Sequence, residues 1–450
     1  MGESVNVFLF TNDLRVHDNQ ALANAVKRQG HLICLFCYKT WWFENHLQQG
    51  QSLGHHRAAF LTQSLMNLGH VLDGMGQTLL LFTGSVTEAI EELERSLTPG
   101  STINSVFRSF NVGVYENREW QSAARDLPLV NFEEIETHTL FKKQQLVPLF
   151  HSFDLSYSQF RKRIESSQEP LAPIPTLTSL PPPPSDINDV LITKSPHFQL
   201  TGLGDDTTHQ RHFWGGETRA LNHLTDYFSE HLPAHYKEVR NSLNGWENST
   251  KLSAWLSNGC LSVRLVYQYL KHYEAKVTAN ESTYWVYFEL LWREYFQWSA
   301  YVNQEKLFAH SGTNGRKPLT SFYSERFAKW CSGTTPYPIV NACMNHLNSE
   351  GYLSNRGRQI VASCFVNELS LDWRYGAAYF ESTLLDYDVA SNWGNWQYLA
   401  GVGSGTKGKR HFDLEKQARL FDKSGEYCEK WGTDREILPL DSVDMADWPA

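Results

Sequence analysis

Residues 354–398 read SNRGRQIVASCFVNELSLDWRYGAAYFESTLLDYDVASNWGNWQY. The stretch holds Asn355, Arg356 and Arg358, the acidic residues Asp386 and Asp388, Asn392, and tryptophans at 373, 393 and 396. Ordinary helical cores carry few polar side chains among so many aromatics. The mixture suits a large, flat, polar-edged cofactor buried between helices. Ser354 stands where it can cap the following helix, which puts Asn355, Arg358 and Gln359 on one face. Arg358 is the natural partner for Asp386, because a buried charge needs one. Asp386 and Asp388 resemble a metal half-site, but no histidine or further carboxylate stands at ligand spacing, so no metal is expected. Buried tryptophans are usually packing. They also have accessible oxidation potentials, so Trp373 and Trp396 could pass electrons by hopping. Spacing leaves both readings open.

Outward from this stretch, FELLWREYF (288–296) places Glu289, Trp292 and Arg293 on one helical face. A solvated ion pair explains that spacing too. YKEVRNSLNGWENSTKLS (236–253) gathers Ser249, Thr250 and Ser253 around Lys251 where a helix should begin. Hydroxyls and free N–H groups there suit a phosphate, although an ordinary Ser/Thr cap fits equally. The basic, glycine-rich SGTKGKRH (404–411) suits a phosphate backbone or is a solvated loop.

From residue 217 onward the texture is helical, whereas the N-terminal part alternates. The apolar runs VNVFLF (5–10), HLICLFCY (31–38), TLLLFTG (78–84) and TINSVFRSF (102–110) are separated by helical patterns. This spacing predicts an α/β domain with a doubly wound parallel sheet over 1–135. No GxGxxG follows the first run, so a dinucleotide site is not expected. A connector is expected over 136–204, Pro-rich at 165–200, then an all-α domain over 205–433 and a short acidic tail over 434–450.

Of the 450 residues, 41% are hydrophobic and 20% charged, which reads as soluble and globular. Aromatics reach 13%, with 15 Trp, an excess that favours a π-rich pocket. The net charge of −9 argues against a general nucleic-acid coat, so DNA contact requires a local basic patch. Seven scattered cysteines fit reduced thiols in a cytosol, and Cys34 and Cys37 read as buried structural thiols. No membrane-spanning run or signal-peptide core is present, and the expected location is cytoplasmic.

Together, STKLSAWLSNGCLSVR (249–264), ELLWREYF (289–296), NRGRQIVAS (355–363), LDWRYGAAYFE (371–381) and DYDVASNWGNWQY (386–398) resemble the photolyase/cryptochrome family, and most closely its DASH cryptochrome branch. The resemblance runs from FLFTNDLRVHDNQAL (8–22) to QARLFDKSGEYCEKW (417–431). It implies an antenna-type α/β domain, a long connector and a helical domain holding a U-shaped FAD. By match, Tyr236, Ser249, Thr250, Lys251, Leu252 and Ser253 would hold the phosphates. Glu289, Trp292 and Arg293 would flank the cavity, Arg358 would pair with Asp386, and Asp386 and Asp388 would lie near the flavin and adenine. Asn392 would face the flavin N5, and Trp396 and Trp373 would be the inner members of an electron-transfer chain.

The implied reaction is blue-light-driven splitting of cyclobutane pyrimidine dimers by electron transfer from reduced flavin, a carbon–carbon lyase activity. The dimer must be flipped into the cavity, which costs least in single strands. Glu289 would hydrogen-bond the pyrimidine edge, with Asn355 and Gln359 lining the pocket and Arg356 and Arg410 gripping phosphates. Asn355 replaces the histidine of six-four photolyases. Tyr398 replaces a tryptophan that packs on the dimer in other photolyases, which implies a looser pocket and a preference for single-stranded DNA, with RNA a further possible partner. The alternative implied by the same family is a blue-light photoreceptor with nucleic-acid binding but little repair. Similar proteins bind methenyltetrahydrofolate as an antenna, in the region of Glu116 and Glu119. An ordinary surface helix explains those carboxylates too. The position expected to hold the outer tryptophan of the electron chain is Thr320, with Phe322, Tyr323 or Trp330 as substitutes. A monomer is expected.

Overall fold

The computed structural model describes residues 2–46, 50–146, 155–185, 187, 213–406, 408–432 and 439–441. Residues 188–204 of the connector, Lys407 of the basic loop and most of the acidic tail lie outside them. Five parallel strands, β1 (Ser4–Phe10), β2 (His31–Tyr38), β3 (Leu79–Thr83), β4 (Thr102–Ser109) and β5 (Asn131–Ile135), form one sheet in the order β3-β2-β1-β4-β5. The apolar runs of β1 and β2 are continuous because both faces are covered. Phe8 and Phe10 point into the core shared with the helical domain. Val5, Val7 and Leu9 point the other way, under the helices Val86–Ser96 and Val114–Asp126. Cys34 and Cys37 therefore face opposite sides of the sheet, and burial pushes each thiol up to about 12. All seven cysteines are free, consistent with packing rather than redox work. Strand β5, NFEEI, was not expected from its pattern. It is an edge strand, and its charged side chains are tolerated there because one side needs no partner.

The Pro-rich segment is stitched to the sheet rather than loose on the surface. Pro182 O accepts from Leu32 N at 3.2 Å, and Ile174 N donates to Asp18 Oδ1 at 2.9 Å. The helical part is organised around the helix Glu281–Asn303, which packs on the helices Val389–Ala400 and Tyr157–Ser167 and on the short Tyr236–Val239 turn.

The two parts are joined by buried polar contacts. Arg15 is buried and donates to the carbonyls of His17, Asp18, Thr137 and Gly259. Glu294, also buried, accepts from Leu140 N at 2.8 Å and Trp298 Nε1 at 3.1 Å. Glu217 accepts from the N–H groups of Val16 and His17, each at 2.9 Å, and meets His17 Nδ1 at 2.5 Å. Burial alone would raise the Glu217 carboxyl, but the His17 side chain and these two amides outweigh it and hold it below its ordinary value. A depressed carboxylate adds stability above its unfolded pKa of ~4.3 and loses it as pH falls through the folded value. Glu217→Gln is therefore expected to cost about 1.5–3 kcal/mol at neutral pH. Thermal melts of both proteins should converge in acid.

Candidate functional site

The helix Asn355–Asn367 begins at Ser354, whose hydroxyl accepts from Gly357 N at 3.2 Å. The helix Val389–Ala400 begins at Asp388, whose carboxylate accepts from Ser391 N at 2.7 Å. Between these helices lies a cavity of about 210 Å³. Asn355, Arg358, Gln359, Asp386, Asp388, Asn392 and Trp396 all line it, with Phe380, Leu384 and Leu399 as apolar wall. Most of the opening stretch thus converges on one space.

Arg358 Nη2 reaches both oxygens of Asp386, at 2.9 and 2.8 Å, and its Nε donates to Leu353 O at 2.8 Å. The Asp386 side chain is only 1% exposed, while Arg358 is half-buried. Asp388 is held as well: Gln297 Nε2 donates to its two oxygens at 3.0 and 2.9 Å. Gln297 follows Arg293 by one helical turn, so periodicity could have found it. Asn392 commits its Nδ2 to Ala377 O at 2.9 Å, which leaves its carbonyl oxygen as an acceptor.

A second cavity, about 380 Å³, is lined by Lys251, Trp246, Gln63 and His346. Tyr352 walls both cavities, and Lys251 lines one while Ser253 lines the other. The segment 249–253 therefore stands between them. Its hydroxyls do not cap a helix as an ordinary start would. The helix Ser253–Ser257 has Leu252 at its N-cap and no side-chain cap bond. Lys251 is buried in the left-handed region at φ 53, and its Nζ lies 4.8 Å from the Tyr352 ring centre.

Glu289 pairs with Arg240, which shares a short turn with the buried Tyr236. Burial raises the Glu289 carboxyl and Arg240 opposes the rise. Trp292 stacks on Tyr157 with ring centres 3.7 Å apart and meets Tyr398 edge-on at 5.5 Å. Arg293 differs from expectation. It turns to the strand-to-connector junction, donating to His138 O at 2.6 Å, because that carbonyl is buried and needs a donor. Arg410 lies 4.4 Å from the Tyr398 ring centre, and Arg356 donates to Asn241 Oδ1 at 3.0 Å. Arg240, Tyr157 and Gln297 escaped the motif reading.

Trp396 is 2% exposed and packs among Trp330, Phe365 and Phe380. Its ring fills the space beside Gly376, where a Cβ would lie 2.3 Å from the indole. Gly376 follows Trp373 by one turn. Trp373 is fully buried, with Nε1 donating to His310 O at 3.1 Å.

Glu116 and Glu119 sit on the helix Val114–Asp126 at the junction of the two parts. Glu119 is spent: it pairs with Lys39 at 2.6 Å and accepts from Val86 N at 3.0 Å. Glu116 lines a cavity of about 390 Å³ with Trp41, Trp42, Phe308 and Trp393. Neither is an exposed surface residue, as an ordinary helix start would require. Among the described residues no cluster of metal-ligating side chains occurs, and no helix is long and apolar enough to cross a membrane.

Residues 6–182 match the family model described as DNA photolyase, and residues 285–445 match the FAD binding domain of DNA photolyase. The chain is 47% identical over 447 residues to a Cryptochrome DASH of Idiomarina loihiensis, covering 99% of this chain and 96% of that one. It is 42% identical over 450 residues to a Cryptochrome DASH of Vibrio parahaemolyticus, covering 100% and 98%. A solved Synechocystis cryptochrome superposes with a TM-score of 0.87 at 34% identity, covering 96% and 89%. A class III photolyase from Agrobacterium tumefaciens gives 0.79 at 25% identity, covering 96% and 87%.

Proposed function

The chain belongs to the photolyase/cryptochrome family, within its DASH branch, and from that premise we propose that it splits cyclobutane pyrimidine dimers under blue light, chiefly in single-stranded DNA. Its helical part is the family's FAD-binding domain. The walls described above fit FAD by their chemistry. The pair of half-buried Arg358 with buried Asp386 and the Asn392 carbonyl suit the polar edge of a flat ring system. Phe380, Leu384 and Leu399 suit its faces. Tyr236 and the uncapped segment Ser249, Thr250, Lys251, Leu252, Ser253 suit a diphosphate. The chemistry that FAD supplies is one electron lent to the dimer from the light-excited reduced state and recovered after the ring opens.

The observation that carries the repair reading is the aromatic cluster around Trp292. Trp292, stacked between Tyr157 and Phe296 and met edge-on by Tyr398, belongs to an aromatic cluster on the helix whose Glu289 can bond a pyrimidine edge. Asn355 and Gln359 line the cavity between the two helix starts. Arg356 and Arg410 sit close to the aromatic cluster and suit the phosphates on either side of a flipped lesion. A tyrosine at 398 covers less of the dimer than a tryptophan, so less of the unpairing cost of duplex DNA is offset.

We also propose a folate antenna, methenyltetrahydrofolate, for the junction cavity, where Glu116 would offer a hydrogen-bond acceptor and the tryptophans would pack against the rings. Glu119 then acts by fixing Lys39 and the helix rather than by touching the ligand.

Fluorescence anisotropy in the dark, at fixed salt, tests lesion recognition. A single strand with one dimer should bind more tightly than the same undamaged strand. Loss of a charged hydrogen bond costs about 1.5–3 kcal/mol, so Glu289→Ala should weaken damaged-strand binding by roughly ten- to a hundredfold and leave undamaged-strand binding unchanged. Equal affinity for both strands contradicts the reading and is what a light sensor using nucleic acid only for targeting gives.

A further inference from the structure

We propose that the electron chain beginning at Trp396 and Trp373 ends at Trp393, in the junction cavity, with Glu381 as the acceptor of its indole proton. The inference rests on the flavin reading above. The position expected for an outer tryptophan holds Thr320, whose side chain cannot carry a hole. Its hydroxyl is buried without a hydrogen-bond partner. Trp373 instead meets Trp393, with ring centres 5.8 Å apart and planes at 79°. Trp393 lines the junction cavity, so with no antenna bound its ring is where a small solute can reach the chain.

The indole N–H decides between routes. Trp393 Nε1 donates to Tyr387 Oη at 3.2 Å and Glu381 Oε2 at 3.4 Å. A tryptophan that has lost an electron is a strong acid, and a carboxylate beside its N–H traps the hole by taking the proton. Burial raises the Glu381 carboxyl, with Arg57 opposing, so it is a better base than an exposed one. The competing route fails this test. Trp330 meets Trp396 at 6.2 Å but is fully buried, and its N–H goes to the carbonyl of Val361, an amide oxygen too weakly basic to take the proton. Tyr379, next along at 5.5 Å, donates to Asn348 Oδ1 and faces Cys331 O, neither of them a base.

Trp396 yields one electron to the bound cofactor, Trp373 refills Trp396, and Trp393 refills Trp373. The N–H bond of Trp393 breaks, its proton goes to Glu381, and a neutral indolyl radical remains. In chains whose antenna cavity is empty, a soluble thiolate entering it returns one electron and becomes a thiyl radical, and Glu381 returns the proton.

Flash photolysis of the holoprotein with oxidised flavin, read by transient absorption and time-resolved electron paramagnetic resonance, tests this. Wild type should give a long-lived neutral indolyl radical. Trp393→Phe, with flavin still bound, should lose it and show only a short-lived tryptophan cation. Glu381→Gln should form the radical at Trp393 but leave it protonated and short-lived. A long-lived neutral radical at wild-type yield in Trp393→Phe, lost instead in Trp330→Phe, overturns the branch while leaving the hopping role of Trp396 intact. No tryptophan radical in wild type removes that role and the branch with it.

Discussion

Arg358→Ala is expected to lower stability by about 3–5 kcal/mol and to leave the purified chain without flavin. The guanidinium reaches both oxygens of Asp386 and ties its Nε to Leu353 O, so one side chain sets the spacing of two helix starts. Asp386 is almost fully enclosed. Removing its partner leaves an almost fully enclosed charge without its counter-ion, which is why the loss exceeds that of an exposed ion pair. Arg358→Lys keeps the charge but not the fork, and should fall between wild type and alanine. Denaturant titration with flavin absorbance checks both effects. Full flavin content in Arg358→Ala would remove the pair from the cofactor site.

Trp396→Phe is expected to lower the rate of flavin photoreduction by more than an order of magnitude while the fold persists. The indole stands at the cavity wall and against the turn that carries Trp373, so it is the bridge between cavity and chain. Phenylalanine fills most of the space but is far harder to oxidise. The packing loss should be roughly 1–3 kcal/mol, below the ~3–5 of a truncation to alanine. Gly376→Ala offers a second handle. The added methyl would collide with the ring, so it should displace the indole and slow photoreduction without removing the redox group. Retained photoreduction in Trp396→Phe would contradict the hopping role.

Much of this site could be read along the chain because its parts lie close together in sequence. Arg358 and Asp386, or Asn392 and Trp396, need only helical periodicity and the rule that buried charges pair. What escaped was long-range. Tyr157 reaches Trp292 from the connector, and Arg240 reaches Glu289 from a short turn. No local pattern encodes such meetings. The partner of Arg293 escaped for the same reason, since the carbonyl at 138 lies in the connector. Strand β5 was missed because alternation is a signal of half-burial, and an edge strand with Glu133 and Glu134 lacks it. Segment 249–253 went the other way: its composition fits a cap, and only the backbone excludes one.

The most direct test is chemical. Photoreduced protein is mixed with a single-stranded oligonucleotide carrying one cyclobutane dimer, and with its duplex, in blue light and in darkness. Intact dimer is then counted. The expected result is light-dependent loss of the dimer, faster in the single strand than in the duplex, and none in the dark. Persistence of the dimer on both substrates under blue light, with reduced flavin still bound, would contradict repair.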